Sequence, residues 1–345
     1  MRAAFCPRVG DIILRDAEAP RPTKPGEVVV RVRRCGICGS DLHWYKGEAP
    51  LPTSCPGHEI SGVVEALGPG AHAVREGDRV VVEATRSCGR CSYCHEGRTQ
   101  LCVDLTLLGL TAPGGFADCF VTDSRHLHPI PPAIDDEIAI LTEPLAVAIH
   151  SLRIAALPRG GRVLILGGGS LGLVCASAAR DAGAGEIVIS ARRPHQRAAA
   201  RALGATRAIE PHDLQRPEAP GDFDVVLDTV ADPDGSLDQG LGAARAGGAV
   251  VVLGVFTRRP SFDAVRLMSH EIRLLGAMCY GRGDERADFE IALDLLGRQS
   301  RQLRGLVTHR VGLEDLAEGF RLAADKSTGS IKVSVAISEP EPPRP

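Results

Sequence analysis

The sequence predicts an α/β protein of two domains: a small β-barrel-like unit and a doubly wound parallel sheet. Three observations predict this. A chain of 345 residues exceeds the usual single domain of about 100–200. Residues 26–84 hold short alternating runs, "EVVVRVRR", "ISGVVEALGPG" and "DRVVVEA", divided by glycine and proline, as half-buried strands do. From about residue 160 the texture changes. "GRVLILGGGSLGLVCASAARDAGAGEIVISARR" reads as strand, glycine loop, Ala-rich helix and second strand, which is a βαβ unit.

The later elements follow the same logic. "FDVVLDTV" (223–230), "GGAVVVLGV" (247–255) and "RLLGAM" (273–278) are apolar runs of strand length. Residues 286–300, "RADFEIALDLLGRQS", place Phe289, Ala292, Leu293 and Leu296 on one helical face. The tail 338–345, "SEPEPPRP", is proline-rich and expected to be disordered. No internal repeat is present.

Composition narrows the function classes. Apolar residues make up 44 % and charged residues 24 %, ordinary for a globular chain. The net charge is −3 and no run of lysine or arginine exceeds two, which argues against a broad nucleic-acid-binding face. No run of 18 apolar residues suggests a membrane span, and Pro7 and Gly10 break the short apolar start. The expected location is the cytoplasm. Eleven cysteines in such a chain are expected to be reduced, so a tight cluster points to metal or catalysis.

One such cluster is "CGRCSYCHEGRTQLC" (88–102), with Cys88, Cys91, Cys94 and Cys102 spaced C-x2-C-x2-C-x7-C. Each C-x2-C step turns two thiolates toward one point, and the longer return supplies a fourth. Four sulfur ligands and no open position describe a structural zinc site. A redox pair needs two cysteines rather than four, and iron–sulfur spacings differ.

Gly167, Gly169 and Gly172 form G-x-G-x-x-G between a strand (Val163–Leu166) and a helix. The first glycine allows the tight turn, the second lets a pyrophosphate approach, and the third lets helix and strand pack. The helix N-terminus then offers free N–H groups to the phosphates. Ser170 and Leu171 belong to the same loop, and Gly254 ends the strand 247–255; all are assigned to cofactor binding. NAD-binding units usually carry an acidic residue about 20 positions past the loop. Here that position holds Ala191, followed by Arg192, Arg193 and Arg197. Guanidinium groups suit a 2′-phosphate, so NADP is expected, with NAD as the alternative.

Two further stretches are "CGICGSDLHWY" (35–45) and "PGHEISG" (56–62). Cys38, His58 and Glu59 offer sulfur, imidazole and carboxylate, all zinc donors. Together with "GGFAD" (114–118), "EPLAVAIH" (143–150), the cysteine lobe, the glycine loop and "GLVTHRVGLEDLAEGF" (305–320), the chain resembles the zinc-dependent medium-chain dehydrogenases. These include alcohol, sorbitol and threonine dehydrogenases.

The resemblance implies a GroES-like catalytic domain interrupted by a Rossmann domain. It divides the chain into 1–147 (catalytic, with the zinc lobe 88–102), 148–283 (Rossmann), 284–337 (return to the catalytic domain) and the tail 338–345. It implies two zinc ions per chain. Cys38 and His58 would bind the catalytic one, with Glu59 as third ligand and Glu143 as an alternate or water-mediated ligand. It assigns Ser40 to accept the alcohol proton and His43 to pass it on, with Asp41 supporting the zinc site from behind. A homodimer or homotetramer is expected.

The expected activity is NADP-linked oxidation of a secondary alcohol, polyol or diol, or reduction of the matching ketone. A threonine- or sorbitol-type enzyme using NAD is the alternative. In sorbitol dehydrogenases an arginine after "LLG" contacts the polyol, and Cys279 stands at that place here. A zinc-ribbon protein for nucleic acid would need a basic face and no glycine loop, so charge and loop both count against it.

Overall fold

The computed structural model describes residues 1–216, 221–283 and 286–338. The expected disordered tail lies, from residue 339 onward, outside the described residues. Ser338 itself donates from Oγ to the Val32 carbonyl (2.6 Å). The chain forms two compact units, Met1–Glu143 with Arg282–Pro345, and Pro144–Gly281.

The first unit opens with a hairpin of β1 (Arg2–Arg8) and β2 (Asp11–Asp16), then β3 (Glu27–Ile37), helix α1 (Gly39–Tyr45), β4 (Glu59–Leu67) and β5 (Arg79–Val82). A short pair, β6 (Thr85–Arg86) and β7 (Thr106–Leu107), brackets the cysteine lobe with its one-turn helix α2 (Ser92–His95). Next come β8 (Cys119–Asp123), β9 (Leu127–Pro129), α3 (Asp136–Ala139) and α4 (Thr142–Ala155). The divide between the units falls just inside α4, because that helix begins at Thr142. The span Asp136–Ala155 is long and apolar enough to cross a membrane by composition alone, but 78 % of its apolar window is buried within the protein.

The second unit contains β10 (Arg162–Leu166), α5 (Ser170–Asp181), β11 (Glu186–Ser190), α6 (Pro194–Ala202), β12 (Arg207–Ile209), β13 (Phe223–Asp228), α7 (Ser236–Ala243), β14 (Ala244–Val252), α8 (Ala264–Ser269) and β15 (Arg273–Gly276). Its sheet is wholly parallel, in order β12-β11-β10-β13-β14-β15. Counted within the unit this is 3-2-1-4-5-6, the dinucleotide-binding order. Such strands are covered on both faces, so "VLIL" (163–166) and "VVL" (225–227) read as continuous apolar runs. Leu164, Val188, Phe223, Val226, Leu241 and Val250 form one packed core here.

The chain then returns to the first unit with α9 (Asp288–Arg298), α10 (Ser300–Arg304), β16 (Val307–Gly312), α11 (Leu316–Ala324) and β17 (Lys332–Ala336). Phe289, Ala292, Leu293 and Leu296 are buried on α9, the face expected from the 3.6-residue period. The large sheet runs β16-β17-β3-β4-β5-β9, with β8 also paired to β3. The local alternation of residues 26–84 accounts for β3, β4 and β5. It gave no sign that β17, almost 300 residues on, would pair with the far end of β3.

β3 is nearly buried throughout, since it pairs with β4, β8 and β17. Two register shifts against β4, at Val29/Val30 and Val32/Arg34, bend the pair as bulges do. Val28, Val30, Val32, Val80, Val82 and Phe120 fill the core behind it. Phe320 of α11 meets Trp44, Tyr45 and Phe116 at ring-centroid distances of 5.1, 5.2 and 5.8 Å. This contact seats α1, whose first turn carries the candidate active-site residues.

Candidate active site and metal centres

The cysteine lobe is preformed. The ligand atoms of Cys88, Cys91, Cys94 and Cys102 all lie within 4.8 Å of one another. At a Zn–S bond of about 2.3 Å, a tetrahedron separates its sulfurs by roughly 3.8 Å. The donor set therefore fits a closed zinc site. Backbone N–H groups point into the lobe: Cys88 N–H to Cys102 Sγ (3.2 Å), and Asp104 N–H to the same sulfur (3.4 Å). N–H donors, that of Val103 foremost, pull the Cys91 thiol down to about 6, and the Arg90 N–H lowers Cys88. Burial pushes Cys102 up to about 11. Arg125 extends toward the turn at Gly89, whose open side its Nη1 fills. It adds positive charge beside Cys88 and Cys94, a neighbour the lobe's own spacing does not reveal.

The second cluster is built at the exit of β3. Cys38 is the residue before α1, and its N–H donates to Asp41 Oδ2 (3.0 Å). Asp41 Oδ1 lies 3.6 Å from His58 Nδ1, and Ser40 Oγ lies 3.4 Å from His58 Nε2. The carboxylate stands within ion-pair range of one ring nitrogen and the serine hydroxyl beside the other, so Asp41 lies behind the ring as a carboxylate does behind a metal-bound histidine. Burial alone would lower the His58 imidazolium, but the charges of Asp41, Cys38 and Glu143 outweigh it and raise it well above the usual range. Glu143, buried in the first turn of α4, is pushed to about 7 by burial, with Glu59 adding to the shift. Thiol, imidazole and a carboxyl group are thus neighbours, and their N, S and O atoms suit zinc. Among the described residues only the four-cysteine lobe gathers three or more such ligand atoms within 4.8 Å; this second cluster is looser.

Glu59, expected as a zinc ligand, is placed against a lysine. It is fully buried, and both of its carboxylate oxygens accept from Lys332 Nζ on β17, itself fully buried. Lys332 donates as well to the Ile37 carbonyl (3.2 Å). The space for this pair exists because residue 36 is glycine: a Cβ there would stand 2.0 Å from Glu59 Oε2. Sequence reasoning missed Lys332. Its one signal was a single lysine inside the apolar strand "IKVSVAI". His43 also has a partner the sequence did not disclose, since its Nδ1 lies 2.7 Å from Glu48 Oε2.

The glycine loop is built for close approach. Gly167 has φ +104°, and a Cβ on Gly172 would lie 2.0 Å from the Gly167 carbonyl oxygen. Gly169 is exposed before the first turn of α5, with nothing within 4 Å of where its Cβ would stand. That open cradle fits a pyrophosphate at a helix N-terminus. Ser170 and Leu171 begin α5 partly exposed, and Gly254 lies just after β14, packed on Ala231. Ala191 is buried at the end of β11, while Arg192 and Arg193 are exposed. Arg197, expected as a phosphate contact, is engaged by backbone and carboxylate. Its Nη1 donates to the carbonyls of Ala191 (2.9 Å) and Arg192 (3.0 Å), and its Nη2 pairs with Glu210 (2.9 Å).

Two clusters of zinc-type donors in the first unit and a dinucleotide-type glycine loop in the second are features found together in zinc- and dinucleotide-dependent oxidoreductases. Residues 24–132 match the alcohol dehydrogenase GroES-like domain, and residues 170–298 match the zinc-binding dehydrogenase domain. The chain belongs to the zinc-dependent medium-chain dehydrogenase family, an oxidoreductase family acting on alcohols and polyols. Among relatives, a 2-dehydro-3-deoxy-L-galactonate 5-dehydrogenase from Pseudoalteromonas atlantica is 33% identical, covering 86% of this chain and 87% of its own. A sorbitol dehydrogenase from Halalkalibacterium halodurans is also 33% identical, covering 92% and 93%. Among solved structures, a zinc-binding dehydrogenase from Sinorhizobium meliloti bound to NADP superimposes with TM-score 0.86 at 30% identity, covering 97% of this chain and 99% of its own. The 2R,3R-butanediol dehydrogenase from Bacillus subtilis gives TM-score 0.84 at 28% identity, covering 98% and 99%.

Proposed function

We propose that this enzyme transfers hydride between NADP(H) and a secondary alcohol, polyol or diol and its ketone. The observation that carries the cofactor assignment is a small buried residue, Ala191, at the end of β11, followed by exposed Arg192 and Arg193. No carboxylate stands there to accept from a ribose 2′-OH, and two guanidinium groups stand ready for a phosphate. The relative solved with NADP and the names of the polyol and diol relatives support the reading. With Cys279 at the place of a polyol-contacting arginine, a smaller diol or secondary alcohol is supported as well as a sugar alcohol.

Cys38, His58 and Glu143 are the residues that would hold the catalytic zinc, with Glu59 retained by Lys332. Once loaded, the metal would supply a Lewis acid that lowers the alcohol's pKa, and the nicotinamide a hydride acceptor. The chain's own part is to position and to move a proton. Ser40 Oγ, beside His58 Nε2, accepts the proton of the substrate hydroxyl. His43 passes it toward solvent, with Glu48 holding its Nδ1. Asp41 stands behind the His58 ring, 3.6 Å from its Nδ1. The lobe at Cys88, Cys91, Cys94 and Cys102 holds a structural zinc, giving two ions per chain. Four thiolates keep their metal only where disulfides do not form, which agrees with a cytoplasmic location.

A homodimer or homotetramer is part of the proposal. β15 ends its sheet with one side unpaired, and Val265 and Met268 of the neighbouring α8 are 70 % and 72 % exposed. The deciding measurement for the cofactor is kcat/KM with NADP and with NAD on one substrate. Charge-assisted contacts contribute about 1.5–3 kcal/mol each, so two of them give a preference for NADP of about a hundredfold or more. Equal or better use of NAD refutes the assignment.

A further inference from the structure

We infer that Arg197 and Glu210 form a positioning pair that sets the cofactor-discriminating turn without touching the cofactor's phosphate; the inference rests on the NADP reading above. The turn runs from Ala191 to Arg193, between β11 and α6. Three anchors hold it. The Ala191 N–H donates to the Ile209 carbonyl (2.9 Å) at the end of β12. The Arg193 N–H donates to Gln196 Oε1 (3.2 Å) in the first turn of α6. The third anchor is the Arg197 guanidinium, which reaches back from α6 to the carbonyls of Ala191 and Arg192 and across to Glu210, the residue after β12.

A guanidinium has five N–H donors in one plane. Arg197 directs those of Nη1 at two carbonyls and Nη2 at a carboxylate, and its side chain is only 17% exposed. Its charge is matched by Glu210, whose other oxygen lies 3.5 Å from His212 Nδ1. Arg197 is therefore ill placed to grip a phosphate. Both carbonyls of the turn are drawn toward it, and this fixes the peptide planes from which the side chains of Arg192 and Arg193 project.

The turn also abuts the glycine loop. A Cβ on Gly168 would stand 2.4 Å from Ala191 Cβ and 3.1 Å from Gln196 Cβ. Any loosening of the turn is thus felt where the dinucleotide lies. Glu210 acts on discrimination through Arg197 and the backbone, from the end of β12 rather than from the turn itself.

The test is the Kd of NADPH and of NADH, by calorimetry on zinc-loaded enzyme, for wild type, Arg197→Ala, Glu210→Ala and the double variant. Amide hydrogen exchange of residues 191–197 is read in the same proteins without cofactor. Both single variants are expected to weaken NADPH by about tenfold and NADH by less than about threefold, with the double variant no worse than the poorer single one. Exchange across 191–197 is expected to quicken in each. If Arg197→Ala weakens NADPH while Glu210→Ala leaves it unchanged or tightens it, Arg197 grips the phosphate directly and the inference falls. If wild type binds both cofactors equally, the NADP reading fails instead. The positioning role is then judged by exchange alone, and unchanged exchange in Glu210→Ala refutes it. Should Glu210→Ala misfold, Glu210→Gln removes the charge with the shape kept and is read by the same criteria.

Discussion

Replacing Lys332 with methionine removes one half of a fully buried ion pair and keeps most of the side-chain volume. The Glu59 carboxylate is then left in a site with no exposure, between Gly36 and β17, without the ammonium that both of its oxygens face. Breaking a buried pair from one side costs about 3–5 kcal/mol, because an uncompensated charge stays behind. The unit that contains it spans Met1–Glu143 and Arg282–Pro345, near 200 residues. For that size each kcal/mol moves the midpoint by about 2–4 °C, so a fall in Tm of roughly 6–20 °C is expected. The assay is thermal unfolding of the zinc-loaded protein, followed by calorimetry so that the two units are seen separately. The double variant Lys332→Met with Glu59→Gln removes the stranded charge and should regain most of the loss. A single variant that melts within a degree of wild type refutes the reasoning. So does a double variant in which the two losses simply add, since partners in contact must couple.

The remaining predictions concern the two proposed metal centres and one buried carboxylate. Cys38→Ala and His58→Ala should each abolish turnover while circular dichroism stays that of wild type; a folded Cys38→Ala enzyme with normal kcat would remove the catalytic-zinc assignment. Cys91→Ser should lower the zinc content from close to two toward one and reduce solubility, checked by elemental analysis, and an unchanged content would mean that the lobe holds no metal. Glu83 is held down to about 2: burial opposes the charge, but His126 and His128 outweigh it, at 3.2 and 2.8 Å. A carboxylate lowered on folding contributes stability that is present above its unfolded value of 4.5 and lost as pH falls toward 2. The stability gap between wild type and Glu83→Gln should therefore be about 3 kcal/mol near pH 6 and shrink toward pH 3; urea unfolding at both values checks this, and a gap independent of pH counts against the pairing.

Much of this molecule was legible from local pattern. The period-2 runs at 27–34 and 60–67 became β3 and β4, and the apolar face of 286–300 became buried on α9. The cysteine spacing alone placed four thiols around one point, because ligands fourteen residues apart are brought together by two tight turns. The glycine pattern located the turn between β10 and α5 for a similar reason, since a strand–turn–helix is a local structure. Ser40, Asp41 and His43 were named from the family resemblance, and they share one turn-and-helix segment with Cys38.

Tertiary structure decided the partners. Glu59 stands next to His58 in sequence, but it is the first residue of β4, paired with Gly36 of β3, while His58 still lies in the loop before that strand. Glu59 turns toward β17, where Lys332 meets it. Arg197 looked like a third phosphate contact beside Arg192 and Arg193, until β12 brought Glu210 against it. Electrostatic pairing depends on which strand lies beside which, and that order is set by the packing of segments distant in sequence. The chemistry of the donor atoms could be read from residue types and spacing. Which donors are left free to act was decided by the fold, through the neighbours it placed around each of them.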